Sequence, residues 1–130
     1  MSRTKKAKDE LSLAHYKILI TISELNDKEF YPTTKGVFNV LTGKEDNETI
    51  LFTYLRTYGS LISIQSRRVC AYIKYLEKLD YITEVYNKEN DDLYLKITPL
   101  GDSVAQLYLH KNKKGFNKVD KKPKKEIIHL

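Results

Sequence analysis

Residues 60–101 read SLISIQSRRVCAYIKYLEKLDYITEVYNKENDDLYLKITPLG, and this stretch decides the fold. Val69, Tyr72, Ile73, Leu76 and Leu79 recur at three- and four-residue steps. That spacing lays one apolar stripe along a helix, expected from about Ser63 to Leu79 and stopped by Asp80. Tyr81 to Tyr86 and Leu93 to Ile97 are then rich in β-branched and aromatic residues, with the turn-forming run Asn87-Lys-Glu-Asn-Asp-Asp92 between them. The two runs read as the strands of a hairpin. Thr98-Pro99 sets a capping hydroxyl beside a residue whose φ is already helical, so a last helix is expected there. Leu100, Val104, Leu107 and Tyr108 are expected to return that helix to the core.

Upstream, Leu11, Ala14, Ile18, Ile22 and Leu25 predict a first helix over Asp9 to Leu25, with Asp9 and Glu10 favourable at its N-terminus. Pro32 and a capping Thr33 or Thr34 begin a second, whose buried stripe is Val37, Val40 and Leu41 and which Gly43 closes. Asp46 or Asn47 can cap a third helix bearing Ile50, Leu51, Tyr54 and Leu55 and ended by Tyr58-Gly59-Ser60. The expected class is α+β and mostly helical. A helix feeding a two-stranded β-wing is the winged-helix form of the helix-turn-helix, usually a nucleic-acid reader.

Charge divides the chain in the same way. Residues 9–110 carry a balance of −4, whereas residues 1–8 and 111–130 together carry +10, which accounts for the whole +6. The organisation read from this is a basic arm (1–8), one domain (9–110) and a Lys-rich tail (111–130). The tail has too few apolar residues to order itself. A pI near 9.2 favours polyanionic partners. Cys70 is the only cysteine, which excludes a disulfide framework or a Cys-rich zinc site within the chain and fits a reducing, cytoplasmic setting. Residues 1–8 have no apolar stretch after their charges, as a secretory signal requires, and no run approaches the length of a membrane span.

Four local words, Val37-Phe-Asn-Val-Leu-Thr-Gly43, Tyr54-Leu-Arg-Thr-Tyr-Gly59, Tyr75-Leu-Glu-Lys-Leu-Asp-Tyr-Ile-Thr83 and Leu95-Lys-Ile-Thr-Pro-Leu-Gly101, fall in one order and spacing. Together they resemble the RecQ C-terminal domain, the winged-helix module that follows the motor in RecQ-type DNA helicases. The resemblance covers roughly Leu11 to Leu109. No phosphate-cradling G-x-x-x-x-G-K-[ST] loop occurs, and the four-cysteine zinc module that often precedes this domain is absent. Gln65-Ser66-Arg67-Arg68-Val69 stands where the family has histidine and tryptophan, and Thr33-Thr34-Lys35 replaces its opening glycines. The resemblance therefore implies DNA binding by a free-standing module, without unwinding.

With Val69, Ile73 and Leu76 inward, the other side of the predicted helix presents Arg67, Arg68, Ala71, Lys74, Tyr75 and Lys78. Arg and Lys suit phosphate oxygens and guanine edges. Ser63, Gln65 and Ser66 are expected in the first turn, where hydroxyl and amide groups can meet a phosphate. The resemblance implies a backbone grip by Ser60 and Ser63; the plain alternative is a solvated face with a Ser cap. Lys111, Lys113 and Lys114 open a tail of eight lysines, and engaging about six phosphates gives a log-log salt slope of roughly −5. The wing tip is acidic through Glu89, Asp91 and Asp92, which argues against strand separation. Tyr86 and Tyr94 are read as cross-strand packing before base stacking.

Neither catalysis nor a metal or cofactor is expected. His15, His110 and His129 are scattered without a Cys or carboxylate at ligand spacing, and Asp91-Asp92 lies in a turn. His15 reads as structural, and Cys70 as inert packing beside the core stripe. The expected function is DNA binding, to duplex or forked and junction structures. The rivals are a protein-interaction winged helix and a dimeric transcription regulator, for which the first helix is the free candidate to dimerise.

Overall fold

A computed structural model describes residues 11–44 and 53–112. The basic arm, the Asp46 or Asn47 cap, Ile50, Leu51, Lys113, Lys114 and the rest of the tail lie outside the described residues.

Helix α1 spans Leu13–Asp27 and begins later than its acidic residues suggest, because Ser12 and His15 form a capping box. The Ser12 hydroxyl accepts the His15 N–H, and His15 Nδ1 accepts the Ser12 N–H at 2.9 Å. Histidine thus fills the place usually held by Glu or Gln. Residues 18–23 and Leu25 are all buried, so α1 is the axis of the molecule rather than a helix with one wet face. It packs against each of the other helices and one strand.

Helix α2, Thr34–Thr42, follows its local chemistry. Thr33 Oγ1 accepts the Gly36 N–H at 3.1 Å, and Gly43 closes the helix at φ +77°, which only glycine adopts freely. Residues 53–63 are turns, although the C-terminal part of a third helix was expected up to its end at Tyr58-Gly59-Ser60. Their backbone is committed elsewhere: Gly59 N–H donates to Val40 O at 2.7 Å and Leu61 N–H to Leu41 O at 2.8 Å, satisfying carbonyls at the end of α2. Three side-chain contacts then fasten this segment to α1. The buried Thr57 and Thr21 hydroxyls meet at 2.5 Å, Arg56 pairs with Glu24 at 2.9 Å, and Lys17 reaches Ser60 O at 3.3 Å. Leu55 is buried with Leu25 and Val40, but Tyr54, expected beside it in the core, is exposed.

Helix α3 spans Ser66–Lys78 and ends in a left-handed Asp80 (φ +65°), after which Tyr81 N–H reaches back to Leu76 O. Strands β1 (Ile82–Asn87) and β2 (Asp92–Ile97) pair antiparallel, Ile82 opposite Ile97 and Val85 opposite Tyr94. Helix α4, Pro99–Lys111, starts at Thr98, whose hydroxyl accepts the Gly101 N–H at 2.9 Å. It runs antiparallel to α1: Ser23 donates to Asp102 at one end, and the Tyr16 and Tyr108 rings stack at 4.1 Å at the other. Leu100 and Leu107, expected in the core, are exposed, and Gly101 and Ala105 are buried instead. The helix approaches so closely that its fully buried positions are small, with Val104, Tyr108 and Leu109 packing partly buried at their sides. The chain is thus α+β and mostly helical, around a core of Ile18, Leu19, Ile20, Ile22, Val37, Leu41, Val69, Ile73, Leu76, Ile82, Leu95 and Ala105. No helix among the described residues is long and apolar enough to cross a membrane.

The free side of β2 is closed by the last turn of α1 and the segment after it. Leu95 N–H donates to Pro32 O at 2.7 Å. Asn26 Oδ1 accepts the Ile97 N–H at 2.8 Å, while its Nδ2 donates to Phe30 O and Leu95 O. One amide therefore substitutes for a strand. Asn26→Ala is expected to lower stability by about 2–3 kcal/mol, since partly buried backbone groups lose their partner. Urea unfolding followed by circular dichroism checks this, and a change below about 0.5 kcal/mol counts against the clamp.

Candidate nucleic-acid interface

Val69, Ile73 and Leu76 of α3 are inside the core, and this fixes what the helix shows outward. Arg67, Arg68, Ala71, Lys74 and Lys78 are exposed, as the spacing predicts. Tyr75, expected among them, is half-buried against His15, with ring centroids 5.3 Å apart. Tyr72, read as core, is also half-buried and meets His15 edge-on at 4.5 Å. Arg68 is held over the Tyr72 ring and donates to its hydroxyl at 3.0 Å, whereas Arg67 has no partner among the described residues. Cys70 lies on this outward face, exposed between Arg67 and Lys74 rather than packed beside the stripe.

The helix begins at Ser66, with Gln65 in the N-cap position and Ser63 in the preceding turn, so the two earlier residues precede the helix rather than form its first turn. No side chain caps it: the expected Ser cap is not made, and the helix starts among exposed Ser63, Gln65 and Ser66. Ile62 stands beside them, 72% exposed. Ser60 is differently placed. Its hydroxyl donates to Thr57 O at 2.7 Å and its carbonyl is held by Lys17. Lys111 is the last residue of α4, where a cation suits the helix C-terminus.

Burial lowers the His15 pKa, and its Nδ1 is a hydrogen-bond acceptor that an imidazolium cannot supply. An unfolded histidine titrates near 6.5, so on acidification the unfolded chain takes up the proton first and stability falls. The urea midpoint is expected to drop between about pH 7.5 and pH 6, and His15→Gln to flatten that slope. An unchanged slope in His15→Gln removes the histidine as its source. Glu77, at the far end of α3, has its carboxyl pKa raised by burial and then by the neighbouring Glu84. With Asp80 these groups line an open acidic cleft beside β1 and Leu100, which bounds the basic face.

The hairpin ends in an acidic tip. Tyr86 donates to Asp91 at 2.5 Å, Asn90 to the Tyr94 hydroxyl at 2.6 Å, and Glu89 N–H to Asn87 Oδ1 at 2.9 Å. Tyr94 is half-buried opposite Val85, but Tyr86 is exposed. An open cleft of about 650 Å³ lies along the hairpin, lined in part by Tyr31. Tyr31 was not among the expected site residues; its signal is a second aromatic, after Phe30, held extended before Pro32. Among the described residues no group of three His, Cys, Asp or Glu side chains is placed to hold a metal ion. Comparison of the chain with family models, curated proteins and solved structures returns no match.

Proposed function

We propose that this chain is a small DNA-binding protein of winged-helix type, docking a duplex or structured DNA with α3 and adding phosphate affinity through its lysine-rich ends. The observation that carries this is the outward face of α3. Arg67, Arg68, Lys74 and Lys78 are exposed on it, Arg67 is unpartnered among the described residues, and the helix N-terminus beside it is uncapped. Guanidinium forks and free N–H groups are the donors that phosphates and guanine edges accept. The order of α3, hairpin and α4, with Pro32 and Asn26 along β2, supports the winged-helix reading and the resemblance to the RecQ C-terminal module. The acidic tip favours docking over strand opening.

A protein partner is the second reading, favoured by the exposed Leu100 and Leu107 on α4. A dimer built on α1 is disfavoured, because that helix is buried through residues 18–23. The deciding experiment is a salt titration of binding to duplex, forked and single-stranded DNA. It compares the whole chain, Arg67→Ala/Arg68→Ala, and a chain lacking residues 1–8 and 113–130; ending at 112 keeps the Asn112 cap of α4. If trimming the ends abolishes binding and the arginine change does nothing, α3 is not the docking surface.

A further inference from the structure

The hairpin register puts Ile82, Leu95 and Ile97 on the side that faces the core and Thr83, Val85, Tyr94 and Lys96 on the other. An outer face of this kind is ordinarily polar. Here Val85, 48% exposed, lies directly opposite Tyr94, and the only aromatic reaching them from outside the hairpin is Tyr31, 40% exposed. The backbone next to Tyr31 and the Tyr94 ring are held in advance. Tyr31 precedes Pro32, whose carbonyl is bonded to Leu95, and the Tyr94 hydroxyl is held by Asn90. Ordering the site therefore costs little when a ligand arrives.

The rim is basic. Lys88 and Lys96 line the cleft, neither is in an ion pair among the described residues, and Glu89 is the only acid lining it. Asn87 has its amide oxygen occupied by Glu89 N–H, which leaves its NH₂ donors for an incoming carbonyl. Aromatic and apolar walls, amide donors and two ammonium groups match a planar heterocycle that carries phosphate.

We infer that this cleft receives an unpaired base of single-stranded DNA, stacked against Tyr31 and Tyr94 with its flanking phosphates at Lys88 and Lys96. The inference rests on the nucleic-acid reading of α3 and adds a second site to it. Paired bases do not offer their faces, so the occupant is a base outside the duplex. The two lysines stand on opposite sides of the Val85–Tyr94 pair along the strands. A residue within a strand has a phosphate on each side, whereas a free mononucleotide has one.

The test uses the full chain with thymidine oligonucleotides of about 12 nucleotides, beside a duplex of similar length, by fluorescence anisotropy. Tyr31→Ala is expected to weaken single-strand binding by about tenfold or more, Tyr31→Phe to retain it, and both to leave duplex affinity within about twofold. Lys88→Glu/Lys96→Glu, at exposed positions where folding is not at stake, is expected to weaken the single strand in the same way. Oligonucleotides carrying 5-iododeoxyuridine are expected to crosslink to Tyr31 or Tyr94. Absence of single-strand binding, a wild-type response to the alanine and glutamate changes, or crosslinks confined to other tyrosines each overturn the inference. A peptide then becomes the occupant to seek. A duplex affinity indifferent to Arg67 and Arg68 in the same series marks instead the failure of the α3 reading.

Discussion

Arg67→Ala/Arg68→Ala is expected to weaken duplex binding by about 30-fold or more with both lysine-rich ends kept, since each lost Arg contact is worth at least about 1 kcal/mol. The log-log salt slope should become shallower by about 2 if both groups meet phosphate. Neither residue supports the core, since both are exposed and Val69, the next residue in the chain, does the packing. Stability should therefore move by less than about 0.5 kcal/mol, which separates a binding loss from unfolding. Arg68 is already steadied by Tyr72, so it loses less freedom on docking than Arg67. Anisotropy titrations at several salt concentrations give both readouts. An affinity within about twofold of the wild type, at unchanged stability, removes α3 as the interface.

Gly101→Ala is the stability counterpart. An added Cβ falls far inside contact distance of the Tyr81 carbonyl oxygen and lies 2.7 Å from the carbonyl carbon and 3.0 Å from the Tyr81 Cα. These are backbone atoms, so no side chain can swing aside. Relief means pulling α4 from the start of the hairpin, which breaks the Thr98 N–H and Thr98 hydroxyl bonds to Tyr81 O at 3.0 and 3.1 Å. The loss is expected to reach about 4 kcal/mol, a large share of the 5–15 kcal/mol typical of a domain. Gly36→Ala is the control. It meets only Pro32 Cβ at 3.5 Å and the Thr33 hydroxyl at 3.6 Å inside α2, and the better helix former should leave stability equal or higher. Urea unfolding of the two variants, side by side, decides the matter. Equal midpoints contradict the close approach.

Features written in neighbouring residues were legible. Thr33 and Gly43 bracket α2, Thr98-Pro99 starts α4, and the Val69, Ile73, Leu76 stripe orients α3, because caps and periodicity are local chemistry. The start of α1 was misjudged by the same local reasoning: two acidic residues outweighed Ser12, and histidine is not the usual box partner. Residues 53–58 read as helical because Tyr54 and Leu55 continue an apolar spacing, yet the segment forms turns whose Gly59 and Leu61 N–H groups bond to α2, a choice no local pattern announces. Leu100 and Leu107 have core spacing, but the approach that buries Gly101 and Ala105 is set by Tyr81, twenty residues upstream of Gly101. On the candidate site the arginine face was visible. The uncapped start of α3, the exposure of Cys70 and the wall supplied by Tyr31 depend on how distant segments meet, and so were not.

The Asn26 amide and the Pro32 carbonyl leave the sheet with a single unpaired border, since β1 pairs with β2 alone among the described residues. Self-association by strand addition has only that border to grow from. There the exposed carboxylate of Glu84 stands close to Glu77, so a second copy brought alongside must bring together groups that repel. Aggregation through the sheet is thereby discouraged by charge on one flank and by covering on the other.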